Sequence, residues 1–135
     1  MFHDNTTPQL RVILALDGVA CLAMAAGLAG LSGFLGSQID LPPTFLRVAG
    51  LLLLLIGAFI LAVASRRKIP GWGVTLIVAG NASWVLASVV LPLVGLIEPN
   101  VLGLCLVIGQ AVAVAVLAGL EQVYHPHGHD RTLQA

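Results

Sequence analysis

Four long runs of apolar residues, separated by short polar segments, dominate this chain. The runs cover residues 10–35, 45–64, 72–91 and 101–124, and a helix needs about 20 apolar residues to cross a bilayer core. The pattern therefore predicts four transmembrane helices, TM1 to TM4 in that order, with tails at residues 1–9 and 125–135. The predicted fold is an all-α membrane protein with the four helices in an antiparallel bundle.

Prolines mark two of the breaks between the predicted helices. Pro42 and Pro43 lie in a polar segment, residues 37–44, that we expect to form the turn between TM1 and TM2. Pro92 follows the third run, and because proline lacks a backbone N–H, we expect it to end TM3.

The basic residues are distributed unequally between the two sides of the membrane that these helices define. Cytoplasmic segments of membrane proteins carry an excess of Lys and Arg. Arg47 alone falls on one side, and the other side holds Arg11, Arg66, Arg67, Lys68 and Arg131. The pattern predicts that both termini are cytoplasmic (N-in, C-in) and that the protein is a multi-pass protein of the bacterial inner membrane.

Composition leaves little material for a soluble catalytic domain. The 135 residues are 59% hydrophobic and 9% charged, with zero formal net charge and a mean hydropathy of +1.03. No basic stripe is present, which excludes nucleic-acid binding by phosphate neutralisation. No nucleophile motif, phosphate loop or metal triad occurs either, so we expect neither an enzyme nor a bound cofactor.

A histidine-containing segment follows TM4. Alternating His and Asp residues can bind a transition metal, which makes His125, His127 and His129 candidate ligands. The alternative, which we favour, is a solvated cytoplasmic tail without a metal.

Asp17 is the most conspicuous polar residue in the apolar runs. An ionisable side chain within the hydrocarbon region is costly and is by default a candidate functional residue. Asp17 belongs either to a proton or substrate relay or to a structural hydrogen-bonded site. A relay requires contact with water, whereas a structural role requires a dry, paired carboxyl.

Further polar residues lie near the middle of TM3 and TM4. Carboxamides at this depth are expensive unless they bond to another helix. One interpretation is a polar clamp that joins TM3, TM4 and TM1. The other is a small polar cavity lined by Asp17, Asn81, Trp84, Ser88 and Gln110.

Small residues indicate close contacts between helices. Small residues spaced along one helix face let two membrane helices approach closely. The candidates are Ala25, Ala29 and Gly33 on TM1, Gly50 and Gly57 on TM2, and Ala111, Ala115 and Gly119 on TM4. Because four helices barely enclose a core, we expect a homo-oligomer or a larger membrane-protein partner in addition to the lipid bilayer.

Residues 81–88 (NASWVLAS) and 110–121 (QAVAVAVLAGLE) carry a resemblance. Together they resemble uncharacterised small four-helix inner-membrane proteins of bacteria, which implies a fold and a location but no activity. Small multidrug resistance transporters share four helices with a carboxylate in the first, but their aromatic pattern and loop lengths differ from this chain, so the comparison is an analogy.

These observations favour a non-enzymatic structural or accessory membrane subunit. The alternative is a small proton-linked transporter or permeation unit that uses Asp17. The surroundings of Asp17 distinguish the two.

Overall fold

A computed structural model describes residues 8–124 and shows an all-α chain of five helices over that range. Four of the five, all except α2, are long and apolar enough to cross a membrane, which makes this an integral membrane protein with four spans. The tail histidines predicted as candidate metal ligands lie outside the described residues. The helices are α1 (Pro8–Gly30), α2 (Ser32–Ile39), α3 (Pro43–Ala64), α4 (Gly71–Leu93) and α5 (Val101–Tyr124).

The first apolar run, predicted as one helix over residues 10–35, is divided into two. Leu31 separates α1 from α2 with φ −114° and ψ 23°, and it lies between Gly30 and Ser32, a type of pair at which helices kink. The Leu31 N–H still bonds to the Gly27 carbonyl, so the chain bends without stopping.

The end of α2 lies inside the segment that was predicted as a polar turn, residues 37–44. Ile39 is the last residue of α2, and Asp40 follows in the left-handed conformation with φ 56°. Its N–H bonds to the Gly36 carbonyl, a common way to end a helix. The turn is therefore shorter than predicted.

Pro92 lies inside α4, although it was expected to end TM3. A proline deletes one backbone donor, and Pro92 is only one residue from the end of the helix at Leu93. Because the lost donor is so close to the end of α4, the helix keeps its conformation through Pro92.

Small residues bring α1 and α3 into close contact. A Cβ added at Gly50 would lie 2.8 Å from the Ala29 nitrogen, and one added at Gly57 would lie 3.1 Å from the Gly18 oxygen. By contrast, an added Cβ at Gly119 of α5 would meet nothing within 4 Å. The predicted small-residue contact thus exists between α1 and α3, whereas Gly119 makes no such contact with the described residues, 8–124.

The other helices pack around α1 and α3. α4 packs along α5, α1 also contacts α5, and α3 meets α4 only sparsely. One close approach between α3 and α4 lies near their connecting loop, where Gly73 abuts Val63. Elsewhere the two helices make few contacts with each other.

Polar contacts tie together the helix ends at both ends of the bundle. The Arg11 guanidinium donates to the carbonyls of Ala64 and Arg67, at the C-terminus of α3, where a positive charge complements the helix dipole. At the opposite end, Asn100 donates from Nδ2 to the Gln38 carbonyl at 2.7 Å, and its Oδ1 accepts from the Gly103 N–H at 2.9 Å. Asn100 therefore caps α5 and binds it to α2.

Candidate functional site

Three buried polar side chains from three helices meet in what we call the carboxyl cluster: Asp17, Asn81 and Glu121. Asn81 Nδ2 donates to Asp17 Oδ2 at 2.8 Å and lies 3.3 Å from Glu121 Oε2. The exposed fractions of Asp17, Asn81 and Glu121 are 1%, 4% and 0%. One carboxamide therefore links α1, α4 and α5 through two carboxyls.

The carboxyl cluster does not satisfy all of its own acceptors. Glu121 Oε1 is buried and has no hydrogen-bond partner among the described residues. The carboxyls of Glu121 and Asp17 instead share one donor, Asn81 Nδ2. Cys21, one turn along α1, offers Asp17 Oδ1 only a weak S–H contact at 3.8 Å.

The basic side chains of residues 8–124 lie away from the carboxyl cluster. Arg11 binds the end of α3, and Arg47 lies 3.5 Å from the Ser32 hydroxyl. The remaining three, residues 66–68, are exposed in the loop between α3 and α4. Within the described part of the chain, no cation compensates the two carboxyls, although a buried unpaired carboxylate costs several kcal/mol.

A second group of polar side chains, the Trp84 cluster, consists of Trp84, Ser88 and Gln110. Trp84 Nε1 donates to Gln110 Oε1 at 2.8 Å, and Gln110 Nε2 donates to Ser88 Oγ at 3.0 Å. The Ser88 hydroxyl in turn donates to the Trp84 carbonyl at 2.8 Å. This group joins α4 to α5 and satisfies its side-chain donors internally.

The structure thus divides the five predicted site residues between two places. Asp17 and Asn81 belong to the carboxyl cluster, and the other three form the Trp84 cluster. Sequence reasoning missed Glu121, the third member of the carboxyl cluster. A signal was present, because Glu121 lies eleven positions after Gln110, which is three helical turns and places both on the same face of α5.

Two cavities adjoin these clusters. The smaller has a volume of about 90 Å³, and its polar lining residues are Asp17, Cys21, Asn81, Trp84 and Gln110. It contains four of the five residues predicted to line a polar cavity; Ser88 is not among them.

The larger cavity, which we call the apolar chamber, has a volume of about 680 Å³ and is lined from all five helices. Its polar side chains, Ser83, Trp84, Ser88 and Gln110, all come from α4 and α5. Trp84 and Gln110 line both cavities. Met24, Ile56 and Gly80 also line both, so the two cavities adjoin at these five residues.

No group of three His, Cys, Asp or Glu side chains suited to holding a metal ion occurs among residues 8–124.

Comparison with known proteins identifies no relative. No protein-family model matches the chain, and no curated protein or solved structure is similar to it. The resemblance of residues 81–88 and 110–121 to small bacterial membrane proteins stays a prediction, and the geometry alone supports a function.

Proposed function

We propose that the protein is a small proton-linked transporter or permeation unit in which the carboxyl cluster binds and releases a proton. The observation that carries this proposal is the pairing of two buried carboxyls, Asp17 and Glu121, on one carboxamide without a cation among the described residues. Buried carboxyls inside a membrane span are expensive and mark ion pathways or proton relays.

A shared proton resolves the electrostatic problem of the carboxyl cluster. With both carboxyls ionised, two negative charges share one neutral donor in a low-dielectric environment. One proton removes half of that charge, and Glu121 Oε1, which has no hydrogen-bond partner among the described residues, is available to carry it. The unpartnered oxygen is what a purely structural polar contact would avoid.

The position of Glu121 suggests where the proton enters. Glu121 is three residues from the end of α5 at Tyr124, which is about 4.5 Å along the helix axis at a rise of about 1.5 Å per residue. Asp17, by contrast, lies nine residues into α1. We infer that a proton passes between water and Asp17 by way of Glu121.

The orientation forms part of the same proposal. Arg11 lies beside the loop that carries residues 66–68, whereas Arg47 lies beside α2 at the other end of the bundle. The positive-inside rule then places the end with Arg11 and Glu121 in the cytoplasm of a bacterial inner membrane. Proton exchange through Glu121 is cytoplasmic in this orientation.

A structural or accessory membrane subunit is the second candidate. The Trp84 cluster favours it, because its side chains satisfy one another and join α4 to α5. In that case the polar residues hold the bundle together for a second copy or a larger membrane-protein partner, and the carboxyl cluster exchanges no proton.

Infrared spectroscopy of the purified protein in lipid vesicles distinguishes the candidates. A protonated carboxyl absorbs in a region free of amide and carboxylate bands. We expect wild-type protein to show such a band that changes with pH, and Asp17→Asn and Glu121→Gln each to alter or remove it. Asp40→Asn is the matched control, because Asp40 is exposed.

Proton flux into the vesicles under an applied potential, followed with a trapped pH-sensitive dye, gives the functional readout. We expect Asp17→Asn and Glu121→Gln to insert and fold but to lose pH-dependent flux, whereas Asp40→Asn retains it. If wild-type protein shows no pH-dependent carboxyl band, the proton-linked function is wrong and the structural candidate replaces it.

A further inference from the structure

We propose that the loop between α3 and α4 binds an anionic glycerophospholipid. Residues 66–68 hold the phosphate of this lipid, and its acyl chain lies along Phe59 and Trp72. The site is separate from the carboxyl cluster and from both cavities, because none of these residues lines either cavity. The inference goes beyond the proton-linked function and does not depend on it.

Four positively charged side chains gather at this end of the bundle. Three are consecutive and exposed, Arg66, Arg67 and Lys68, and we call them the basic loop. The fourth is Arg11 of α1, whose guanidinium donates to the carbonyls of Ala64 and Arg67. Both acceptors are neutral, so these contacts orient Arg11 without cancelling its charge. Clusters of about four or more Lys and Arg beside a membrane span attract anionic lipid headgroups.

No acidic side chain within residues 8–124 offsets the charge of the basic loop. The acidic residues of that range are Asp17, Asp40, Glu98 and Glu121. Asp17 and Glu121 are buried and share the Asn81 carboxamide. Asp40 follows α2, and Glu98 lies in the loop between α4 and α5, at the opposite end of the bundle. An external anion is therefore the charge complement of the basic loop.

The start of α4 adds backbone donors to the same place. Pro70 precedes α4 and provides no side-chain cap, and the first N–H groups of a helix have no partner within it. The positive end of the helix dipole also favours a phosphate. Because α4 begins at Gly71, three residues after Lys68, a phosphate held by the basic loop lies close to these donors.

An exposed aromatic pair indicates where the acyl chain lies. The rings of Phe59 and Trp72 have centroids 6.4 Å apart, and Trp72 is 62% exposed. Phe59 is five residues before Ala64, the last residue of α3, which is about 7.5 Å along the helix axis. Leu55 and Leu76, one turn further from the loop, are exposed as well. An apolar surface therefore runs from the basic loop into the bilayer, with a tryptophan at its start as is typical of the membrane interface.

Quenching of Trp72 fluorescence by brominated acyl chains tests the inference on the full-length protein in phosphatidylcholine vesicles. The chain has two tryptophans, so a Trp84→Phe background leaves Trp72 as the only fluorophore of this type. Brominated phosphatidylglycerol should quench Trp72 more strongly than the same fraction of brominated phosphatidylcholine. The two probes carry the same chains and differ in the charge of the headgroup.

Substitutions in the basic loop locate the headgroup. Arg66→Gln, Arg67→Gln and Lys68→Gln should each lower the relative affinity for phosphatidylglycerol by about fivefold, since each Lys or Arg near a surface contributes about 1 kcal/mol. Arg47→Gln, at the other end of the bundle, is the matched control and should keep the preference. Added salt should weaken the preference in the parent protein, because exposed charges are screened.

Native mass spectrometry of the unmodified protein with equal amounts of the two lipids gives a measurement that needs no substitution, and adducts of phosphatidylglycerol should dominate. Equal quenching or equal adducts overturn the lipid site, as does a preference that the loop variants retain or that Arg47→Gln removes. If inorganic phosphate displaces phosphatidylglycerol at constant ionic strength, the site belongs to free phosphate and the lipid assignment is wrong. None of these outcomes concerns the carboxyl band, which tests the proton-linked function alone.

Discussion

Gly50→Ala should destabilise the protein because Gly50 lies where the backbones of α1 and α3 are in close contact. The added Cβ would lie 2.8 Å from the Ala29 nitrogen and 3.0 Å from the Ala25 oxygen. Carbon contacts are normally about 3.5–4.0 Å. The neighbouring atoms belong to the backbone of α1, so a side-chain rotation cannot relieve the clash and the two helices have to separate.

The expected magnitude is the difference between two opposing terms. Overpacking of this kind costs about 1–3 kcal/mol, while alanine is favoured over glycine within a helix by up to about 1 kcal/mol. We therefore expect a net loss in the free energy of unfolding of about 1 kcal/mol. Gly109→Ala is the control, because its Cβ would meet nothing within 4 Å and only the helix-propensity gain applies.

Equilibrium unfolding in mixed micelles, followed by far-ultraviolet circular dichroism, measures both variants. The propensity gain is common to the two, so their difference isolates the packing cost and should be about 1–3 kcal/mol. If Gly50→Ala is as stable as Gly109→Ala, the close contact between α1 and α3 is not present in the folded protein.

Three further predictions concern the interhelical hydrogen bonds, the Arg11 contact and the orientation in the membrane. Asn81→Leu and Gln110→Leu should each lower stability in detergent by about 0.6–2 kcal/mol, the range for interhelical hydrogen bonds; wild-type melting temperatures in both would contradict their role. Arg11→Met should lower stability by about 0.3–1 kcal/mol, because it loses the contact with the end of α3. Arg66→Met, in the exposed loop, is the control and should change stability by less than about 0.5 kcal/mol. Equal effects of the two substitutions would refute the contact. Reporter fusions after positions 40, 68, 98 and 135 should place the first and third outside and the others inside, and an outside result at position 68 would reverse the proposed orientation.

The four spans could be predicted because an apolar run of about 20 residues has few alternatives to a membrane helix. The bend at Leu31 was not predictable from hydropathy, because apolar and small residues continue on both sides of it. The bend is caused by local backbone geometry between Gly30 and Ser32. Hydropathy averaged over a long window does not detect such a local feature.

The candidate site could be predicted only in part. A hydrogen bond from Asn81 to Asp17 was foreseen as one option, since both residues stood out against apolar surroundings. Glu121 did not stand out, because an acidic residue three positions before the end of a span is expected to lie at the membrane–water interface. The spacing from Gln110 places Glu121 on the same face of α5, but its burial results from the packing of α1 and α4 over α5. The same packing separates Trp84 and Gln110 into their own group, and spacing along one helix does not determine it.

The hydrogen bond between Asp17 and Asn81 has a consequence for biosynthesis. The two residues are 64 positions apart, and at roughly 5–20 residues per second the ribosome needs roughly 3–13 s to make the second after the first. During that interval α1 enters the bilayer with its acid unpaired, at a cost of about 2.5–3.5 kcal/mol at mid-span. A nascent chain released before Asn81 is made is therefore expected to be retained by the insertion machinery or degraded by membrane quality-control proteases.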